Sequence, residues 1–164
     1  MGKTIAGLIE EDREIAIAAG VDASDDGKNP FPVFKNISEC DVKADVVIDF
    51  SVAAAMDGLL SWCMEKEIPC VLCTTGLSDE QLEMVKKLSE KTAVLKSANM
   101  SLGINMLMKL LKEAAAILKP AGFDIEIVEK HHRLKLDAPS GTALALGDSV
   151  NEALGGEYEY VFDR

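Results

Sequence analysis

Residues 68–97, IPCVLCTTGLSDEQLEMVKKLSEKTAVLKS, place two strand patterns on either side of a helix pattern. The apolar run Ile68–Cys73 predicts a buried strand, and Thr92–Ser97 predicts the next one. Between them, Ser78-Asp79-Glu80-Gln81 has the form of a capping box and opens a helix predicted to end near Lys91. Two strands joined by a helix of this length are typical of a parallel sheet.

The same alternation continues on both sides of this unit. Strands separated by helices indicate an α/β fold, in which helices cover both faces of a parallel sheet. Helices are predicted over 2–11, 52–66, 101–118 and 140–154, strands over Glu14–Asp22, 44–50 and Phe123–Glu129, and polar loops over Asp25–Pro32 and Lys130–Pro139.

The 164 residues are 48% hydrophobic and carry 17 Lys and Arg against 28 Asp and Glu, a formal net charge of −11. This composition is typical of a soluble globular protein and argues against disorder or a disulfide scaffold. It disfavours nucleic-acid binding, because most of the surface would repel phosphates. The apolar runs are shorter than the roughly 18 residues of a membrane span, and the first residues lack the apolar segment of a signal peptide. We expect a cytoplasmic protein with no membrane partner.

Four cysteines, Cys40, Cys63, Cys70 and Cys73, include a Cys-x-x-Cys pair. Such pairs occur in redox and metal sites. Here the pair lies in an apolar run that predicts a buried strand, where residues three apart point to opposite faces. We therefore expect buried free thiols in a reducing compartment.

The residues that follow each predicted strand are candidate binding residues, because ligands of a parallel α/β sheet bind at the carboxyl ends of its strands. Three such places are suggestive: Asp22, Cys73-Thr74-Thr75-Gly76 and Ser97-Ala98-Asn99-Met100. Each also has a purely structural interpretation, in which Asp22 ends a strand at a turn, the threonines form a strand-to-helix turn and Asn99 caps a helix.

Residues 129–143, EKHHRLKLDAPSGTA, contain both histidines of the chain, three other basic residues and the start of a predicted helix. The helix start at Ser140-Gly141-Thr142 offers backbone N–H groups and a positive dipole end, which favour an anion. Histidine supplies a proton near neutral pH, and Lys135 can hold a negative charge or deliver a proton. The segment therefore predicts a carboxylate or phosphate site with a proton donor.

Two other interpretations of residues 129–143 remain. One is a surface loop before a capped helix. The other is a zinc site, but neither cysteines nor a helical His/Glu spacing supports it, so no metal is expected.

The run HHRLKLDAPSGTA over residues 131–143 resembles the signature of the dihydrodipicolinate reductase family, also called 4-hydroxy-tetrahydrodipicolinate reductase, of the lysine and diaminopimelate pathway. The resemblance covers the whole chain, since Met1-Gly2, Asp49-Phe50-Ser51, Thr74-Thr75-Gly76 and the run 97–101 follow in the family's order. It implies a Rossmann-like doubly wound parallel sheet with its first strand missing, over residues 1–102. An incomplete α+β domain for substrate binding and oligomerisation is implied over residues 103–164.

The resemblance also implies an activity, the reduction of a cyclic unsaturated imine dicarboxylate by NADH or NADPH in a homotetramer. His131 and Lys135 match the family's proton donors. His132 matches a substrate contact, and Ser140, Gly141 and Thr142 belong to the segment that binds a substrate carboxylate. The residues that match the cofactor site are Met1, Asp22, Cys73, Thr74, Thr75, Ser97, Ala98, Asn99 and Met100.

The sequence departs from the family's pattern in the cofactor region and at both ends. Asp22 is followed by Ala23-Ser24-Asp25-Asp26, with Lys28 as the nearest cation, so we hypothesise that NADH is preferred over NADPH. The family's first strand and most of its glycine loop would precede Met1, and further strands would follow Glu157–Phe162, which resembles the start of a sheet. We expect the chain alone to bind cofactor weakly and to turn over slowly or not at all.

Two alternatives to a reductase of this family stand beside it. One is a non-catalytic fragment or pseudo-enzyme that keeps the fold and binds at most a dicarboxylate. The other is a different Rossmann dehydrogenase of amino-acid metabolism, which would lack the His-His-x-x-Lys loop beside Pro-Ser-Gly-Thr.

Overall fold

The computed structural model describes residues 1–135 and 138–162, and the chain divides into two compact units, Met1–Ser97 and Ala98–Arg164. The elements of the first unit, in chain order, are α1 (Gly2–Glu10), β1 (Gly20–Val21), β2 (Val33–Phe34), β3 (Val47–Asp49), α2 (Met56–Lys66), β4 (Cys70–Leu72), α3 (Asp79–Ser89) and β5 (Val94–Lys96). Short 3-10 turns lie at Ile37–Glu39 and Ala53–Ala55. The second unit contains α4 (Leu102–Leu118) and α5 (Gly141–Ala153).

A three-stranded parallel sheet with the order β3-β4-β5 forms the centre of the first unit, and β1 and β2 form a separate parallel pair. In the larger sheet, Ile48, Val71 and Leu95 lie side by side, so their side chains share one face. Cys70 and Leu72 point to the opposite face, as the alternation along a strand requires. The predicted α/β class with parallel strands is confirmed.

The hydrophobic core fills the space between the sheet and the helices α2 and α3. Met56 and Leu60 of α2 and Leu88 of α3 pack against Leu72 and are fully buried. Burial of this size stabilises by about 1.5–3 kcal/mol per large apolar side chain. The prediction that helices cover both faces of the sheet is wrong for the described residues. Helices α2 and α3 lie on the same side, and on the other face Ile48 and Leu95 remain 46% and 55% exposed.

The helix predictions are confirmed to within a few residues, because their signals are local. The capping box of α3 is formed: Gln81 N donates to Ser78 Oγ over 3.3 Å, and Ser78 N donates to Gln81 Oε1 over 3.1 Å. The amide of Gln81 also donates to Ala53 O and Asp57 Oδ1, both at 2.9 Å. These bonds attach the amino end of α3 to the amino end of α2.

Three strand predictions are wrong in part or in whole. The stretch Glu14–Asp22 forms a strand only at Gly20–Val21, where β2 supplies hydrogen bonds. The alternating stretch Phe123–Glu129 and the stretch Glu157–Phe162 are irregular. A strand needs a hydrogen-bonded neighbour, and none of the described residues pairs with these two stretches. Hydrophobic alternation therefore predicted an extended backbone but not a sheet.

The cysteines are all buried and none forms a disulfide, as predicted. Cys63 of α2 and Cys70 of β4 lie together in the core. A hydrogen bond from the Cys63 thiol to Cys70, together with burial, raises the pKa of Cys63, so this thiol stays protonated. No helix in the described part of the chain is long and apolar enough to span a bilayer.

Candidate active site

The carboxylate of Glu129 lies at the centre of a polar cluster in the second unit. Its Oε1 accepts a hydrogen bond from Ser140 N over 2.8 Å, and its Oε2 accepts one from Ser140 Oγ over 2.5 Å. Its Oε2 also lies 3.2 Å from His131 Nε2. One carboxylate thus joins a histidine and the start of a helix that are nine residues apart in the sequence.

The pKa of Glu129 is lowered below the ordinary value of 4.5, chiefly by the hydrogen bond from the Ser140 hydroxyl and next by the bond from its backbone N–H. The positive charges of His131 and Lys135 lower it further. Both basic groups therefore lie within electrostatic reach of the same carboxylate. The structure brings the two predicted proton donors into one cluster.

The ring of His131 faces a hydrogen-bond acceptor at each nitrogen. Its Nδ1 lies 3.0 Å from Lys130 O, and its Nε2 faces Glu129. A neutral imidazole carries one N–H, so only the doubly protonated ring can donate to both acceptors. The His131 side chain is 37% exposed, which leaves the ring open to a ligand.

His132 and Lys135 adopt different roles in the turn that follows. His132 Nδ1 accepts a hydrogen bond from Leu134 N over 3.2 Å, so its ring is held by the local backbone rather than by Glu129. The backbone N of Lys135 donates to His132 O over 3.1 Å. The turn places Lys135, which is half-buried, beside the cluster. Residues 136 and 137 of the motif lie outside the described residues.

Helix α5 begins at Gly141, immediately after Ser140, whose hydroxyl accepts a hydrogen bond from Ala143 N over 3.1 Å. Ser140 is 5% exposed, and both its N–H and its hydroxyl proton are bonded to Glu129. The amides of Gly141 and Thr142 donate to no described residue. They are oriented, like the dipole of α5, to receive a negatively charged group.

Thr142 extends this anion site with a hydroxyl group. Asn99 Nδ2 donates to Thr142 Oγ1 over 2.9 Å, so the Thr142 oxygen acts as the acceptor and its proton can point to a ligand. The same asparagine accepts a hydrogen bond from Ser101 N through Oδ1 over 2.8 Å. Asn99 therefore serves both as a turn residue before α4 and as the support of Thr142.

In the first unit, the carboxyl ends of β3 and β4 carry a buried polar pair. Thr74 Oγ1 donates to Asp49 Oδ2 over 2.7 Å, and both residues are 5% exposed. Ser51 N donates to Asp49 Oδ1 over 2.9 Å. These bonds fix the loop after β4, where Gly76 has a φ of +71° that favours glycine. Burial raises the pKa of Cys73 in this loop, so its thiol is unsuited to nucleophilic chemistry.

Two protein-family sequence models match almost the entire chain. The model described as "Dihydrodipicolinate reductase, N-terminus" matches residues 1–100, and the model described as "Dihydrodipicolinate reductase, C-terminus" matches residues 103–160. The chain belongs to the dihydrodipicolinate reductase family.

Individual relatives support membership in the dihydrodipicolinate reductase family. Over 168 residues the chain is 49% identical to the 4-hydroxy-tetrahydrodipicolinate reductase of Caldanaerobacter subterraneus subsp. tengcongensis, and the match covers 100% of this chain and 64% of the relative. It is 45% identical over 164 residues to the enzyme of the same name from Clostridium tetani, with the same coverages. The chain thus spans about 64% of the length of these curated relatives.

A solved structure with the same fold is the dipicolinate-bound dihydrodipicolinate reductase from Paenisporosarcina sp. TG-14. It is 27% identical to this chain with a TM-score of 0.72, and the match covers 99% of this chain and 66% of that one. Together with the family match, it confirms the prediction of a Rossmann-like α/β domain followed by a second domain.

The other residues that match the cofactor site of dihydrodipicolinate reductases lie at strand ends or helix starts. Asp22 follows β1 and accepts a hydrogen bond from Ser24 N over 2.8 Å. Met1 precedes α1 as its N-cap residue. Thr75 and Met100 are exposed. Ser97 and Ala98 follow β5 at the division between the two units.

Sequence reasoning missed three residues of this arrangement. Glu129 and Asp49 were not assigned roles, because each acts on a partner more than ten residues away and no local pattern signals such a link. Lys3 was also missed: its Nζ lies 3.3 Å from Asp26 Oδ2, in the loop after Asp22. No group of three or more His, Cys, Asp or Glu residues suited to a metal occurs among residues 1–135 and 138–162.

The substitution Ser140→Ala should destabilise the chain by about 0.5–2 kcal/mol at neutral pH, the usual cost of a lost N-cap. The lowered pKa of Glu129 stabilises the fold fully above its ordinary value of 4.5, and this contribution is lost as the pH falls through the folded-state value. The Ser140 hydroxyl, which the substitution removes, is the main cause of the lowered pKa of Glu129. The difference in unfolding free energy between wild type and variant should therefore become smaller in acid. Urea unfolding at a series of pH values measures this difference.

The control is Ser149→Ala in the same helix, since the Ser149 hydroxyl donates to Ala145 O over 2.9 Å and contacts no carboxylate. Its destabilisation should change little with pH. A Ser140→Ala difference that stays equally constant in acid would contradict the role given to Glu129.

Proposed function

We propose that this chain provides the catalytic centre of an NAD(P)H-dependent 4-hydroxy-tetrahydrodipicolinate reductase, an oxidoreductase of lysine biosynthesis through diaminopimelate. The observation that carries the proposal is the cluster in which Glu129 joins His131 to the start of α5. It combines a proton donor with a helix start able to bind a carboxylate. The substrate is a cyclic dicarboxylate, the class to which the dipicolinate bound in the related structure belongs.

One substrate carboxylate binds at the amino end of α5. The amides of Gly141 and Thr142 and the Thr142 hydroxyl are its donors. Ser140 positions the start of α5 without contacting the substrate, because its own polar groups are bonded to Glu129 and Ala143. Helix-start binding favours an anion by about 0.3–1 kcal/mol on the surface and up to about 2 kcal/mol when partly buried. His132, whose Nδ1 already accepts from the backbone, contacts the substrate through Nε2.

His131 and Lys135 supply the proton that the reduction requires. After water is lost from the hydroxylated ring, a hydride adds to one ring carbon and a proton to its neighbour. The ring nitrogens of His131 lie 3.0 Å from Lys130 O and 3.2 Å from Glu129 Oε2, and the doubly protonated ring is the form that can give up a proton. Lys135 balances the negative charge of the substrate beside the same cluster.

A reduced nicotinamide nucleotide, when bound, supplies the hydride. The loop after β4 fits such a group: Thr75 is exposed, and no atom lies within 4 Å of the position that a Cβ of Gly76 would occupy. The pair Asp49–Thr74 holds this loop in place. The amino end of α1, after Met1, suits the phosphates, and Asp22 suits the adenosine ribose. Ser97, Ala98, Asn99 and Met100 complete the cofactor residues.

Further features of the proposal concern organisation and location. The dinucleotide-binding domain extends over residues 1–102 and the substrate-binding domain over 103–164. The protein acts in the cytoplasm, as a homotetramer in its whole form. The family matches over residues 1–100 and 103–160 support the domain bounds, and the formal net charge of −11 supports a soluble protein.

The variants His131→Gln and Lys135→Met should each lower kcat by about 10²–10⁴-fold, the usual contribution of general acid catalysis. The assay follows oxidation of NADH with freshly prepared 4-hydroxy-tetrahydrodipicolinate, and isothermal titration measures dipicolinate binding. Lys130→Met is the matched control, since only the backbone oxygen of Lys130 contacts His131. Dipicolinate binding without turnover in the wild-type chain would instead favour a non-catalytic protein. Full activity of both variants would contradict the assignment.

NADH should be preferred over NADPH. A 2′-phosphate beside Asp22 would face the carboxylates of Asp25 and Asp26, although Lys3 and Lys28 lie 3.3 and 4.0 Å from Asp26 and reduce the repulsion. The measurement is kcat/KM with each cofactor under identical conditions. A value for NADPH about tenfold higher, equivalent to about 1.4 kcal/mol, would contradict the preference.

A further inference from the structure

The proposed proton donor and the proposed anion site share one carboxylate. Glu129 precedes the segment 130–139, and its side chain contacts residues at both ends of that segment. At one end it faces His131 Nε2 at 3.2 Å, and at the other it accepts two bonds from Ser140, at 2.8 and 2.5 Å. Any movement of α5 relative to the His131 ring must therefore break one of these contacts.

The chemistry of these contacts requires a carboxylate. Two groups of Ser140 donate to its two oxygens, the backbone N–H to Oε1 and the hydroxyl to Oε2, and His131 Nε2 lies 3.2 Å from Oε2 as an ion-pair contact. Only an ionised carboxylate accepts at both oxygens, whereas the side-chain amide of glutamine has one oxygen and donates through its nitrogen. Glutamine at this position would keep the size of the side chain but would lose the charge. Its amide nitrogen would replace either Oε2, which faces both His131 and the Ser140 hydroxyl, or Oε1, which accepts from Ser140 N.

The side chain of Glu129 is partly shielded from solvent, on the side where it contacts Ser140. The side chain is 28% exposed, less than the His131 side chain at 37%, and Ser140 is buried. Charge-assisted hydrogen bonds of this kind are about twice as strong as neutral ones. The bonds from buried Ser140 therefore hold the Glu129 carboxylate more firmly than its partly exposed ion pair with His131 does.

We propose that Glu129 is a positioning residue, which holds the His131 ring through Nε2 and fixes it relative to the carboxylate-binding start of α5. The inference rests on the proposed function, because it gives Glu129 its catalytic effect through His131. Glu129 itself does not touch the substrate. It aligns the proton donor with a ring whose carboxylate is held at Gly141 and Thr142.

The first test needs neither substrate nor cofactor, and the chain's two histidines make it selective. Imidazole resonances of the ligand-free chain are recorded by NMR for wild type, Glu129→Gln and Ser140→Ala. The His131 resonances should move in Glu129→Gln, and the His132 resonances should stay, because Leu134 N holds that ring. Unchanged His131 resonances, or equal shifts of both histidines, would overturn the proposal.

The second test separates the effect on His131 from the effect on the helix start. Glu129→Gln should lower kcat about tenfold or more, part of the 10²–10⁴-fold that a general acid contributes. Ser140→Ala removes the hydroxyl bonds to Glu129 and Ala143 but keeps the backbone N–H bond to Glu129 and the contact of Glu129 with His131, so its loss of kcat should be smaller. Glu129→Asp, which keeps the charge, should recover part of the activity. Equal losses in Glu129→Gln and Ser140→Ala would overturn the proposal.

A double-mutant cycle with His131→Gln completes the design. If Glu129 acts through His131, Glu129→Gln should lower kcat little further in the His131→Gln background, whereas independent roles would add. Failure of the proposed function is recognised separately, since the wild-type chain would then show no turnover while the NMR comparison still decides whether Glu129 holds the ring.

Discussion

The hydrogen bonds between Glu129 and Ser140 are the constraint on which the second unit's site depends. They are formed between the last residue of an irregular stretch and the first capped turn of α5. Without them the loop between the two residues would have no described bond to the helix that it precedes. With them, Glu129 links the His131 ring to the start of α5, where the amides of Gly141 and Thr142 donate to no described residue.

In the first unit, too, one carboxylate links two parts of the chain that are distant in the sequence. Asp49, at the end of β3, accepts bonds from the Thr74 hydroxyl and from Ser51 N, so two neighbouring strand ends are tied by one buried carboxylate. An unsatisfied buried carboxylate would be costly, but both oxygens of Asp49 are bonded. In each unit, then, a carboxylate that accepts several short hydrogen bonds orders a loop whose outer groups remain available to a ligand.

The sequence predicted what local signals determine. Helices α3, α4 and α5 begin at serine caps whose side chains bond to the third helical residue, and the predicted starts agree with the structure. The prediction of a strand over Phe123–Glu129 is wrong. Alternating apolar and polar residues indicate that the two sides of an extended segment differ in environment, but they do not show that a neighbouring strand is present to form hydrogen bonds. His131 and Lys135 lie near one carboxylate, but their proposed role stays a prediction. The link from Glu129 to Ser140 was not predictable, since it is a tertiary contact across a loop.

The most direct test of this account is a titration of the ¹⁵N-labelled chain with dipicolinate, followed through its backbone amide resonances. The account predicts that the amides of Gly141 and Thr142 shift most and saturate together. The amino end of α3 serves as an internal comparison, because it has the same serine cap but carries Asp79 and Glu80 in its first turn and should repel the ligand. Saturable shifts elsewhere, with Gly141 and Thr142 unchanged, would contradict the claim that the start of α5 binds a carboxylate.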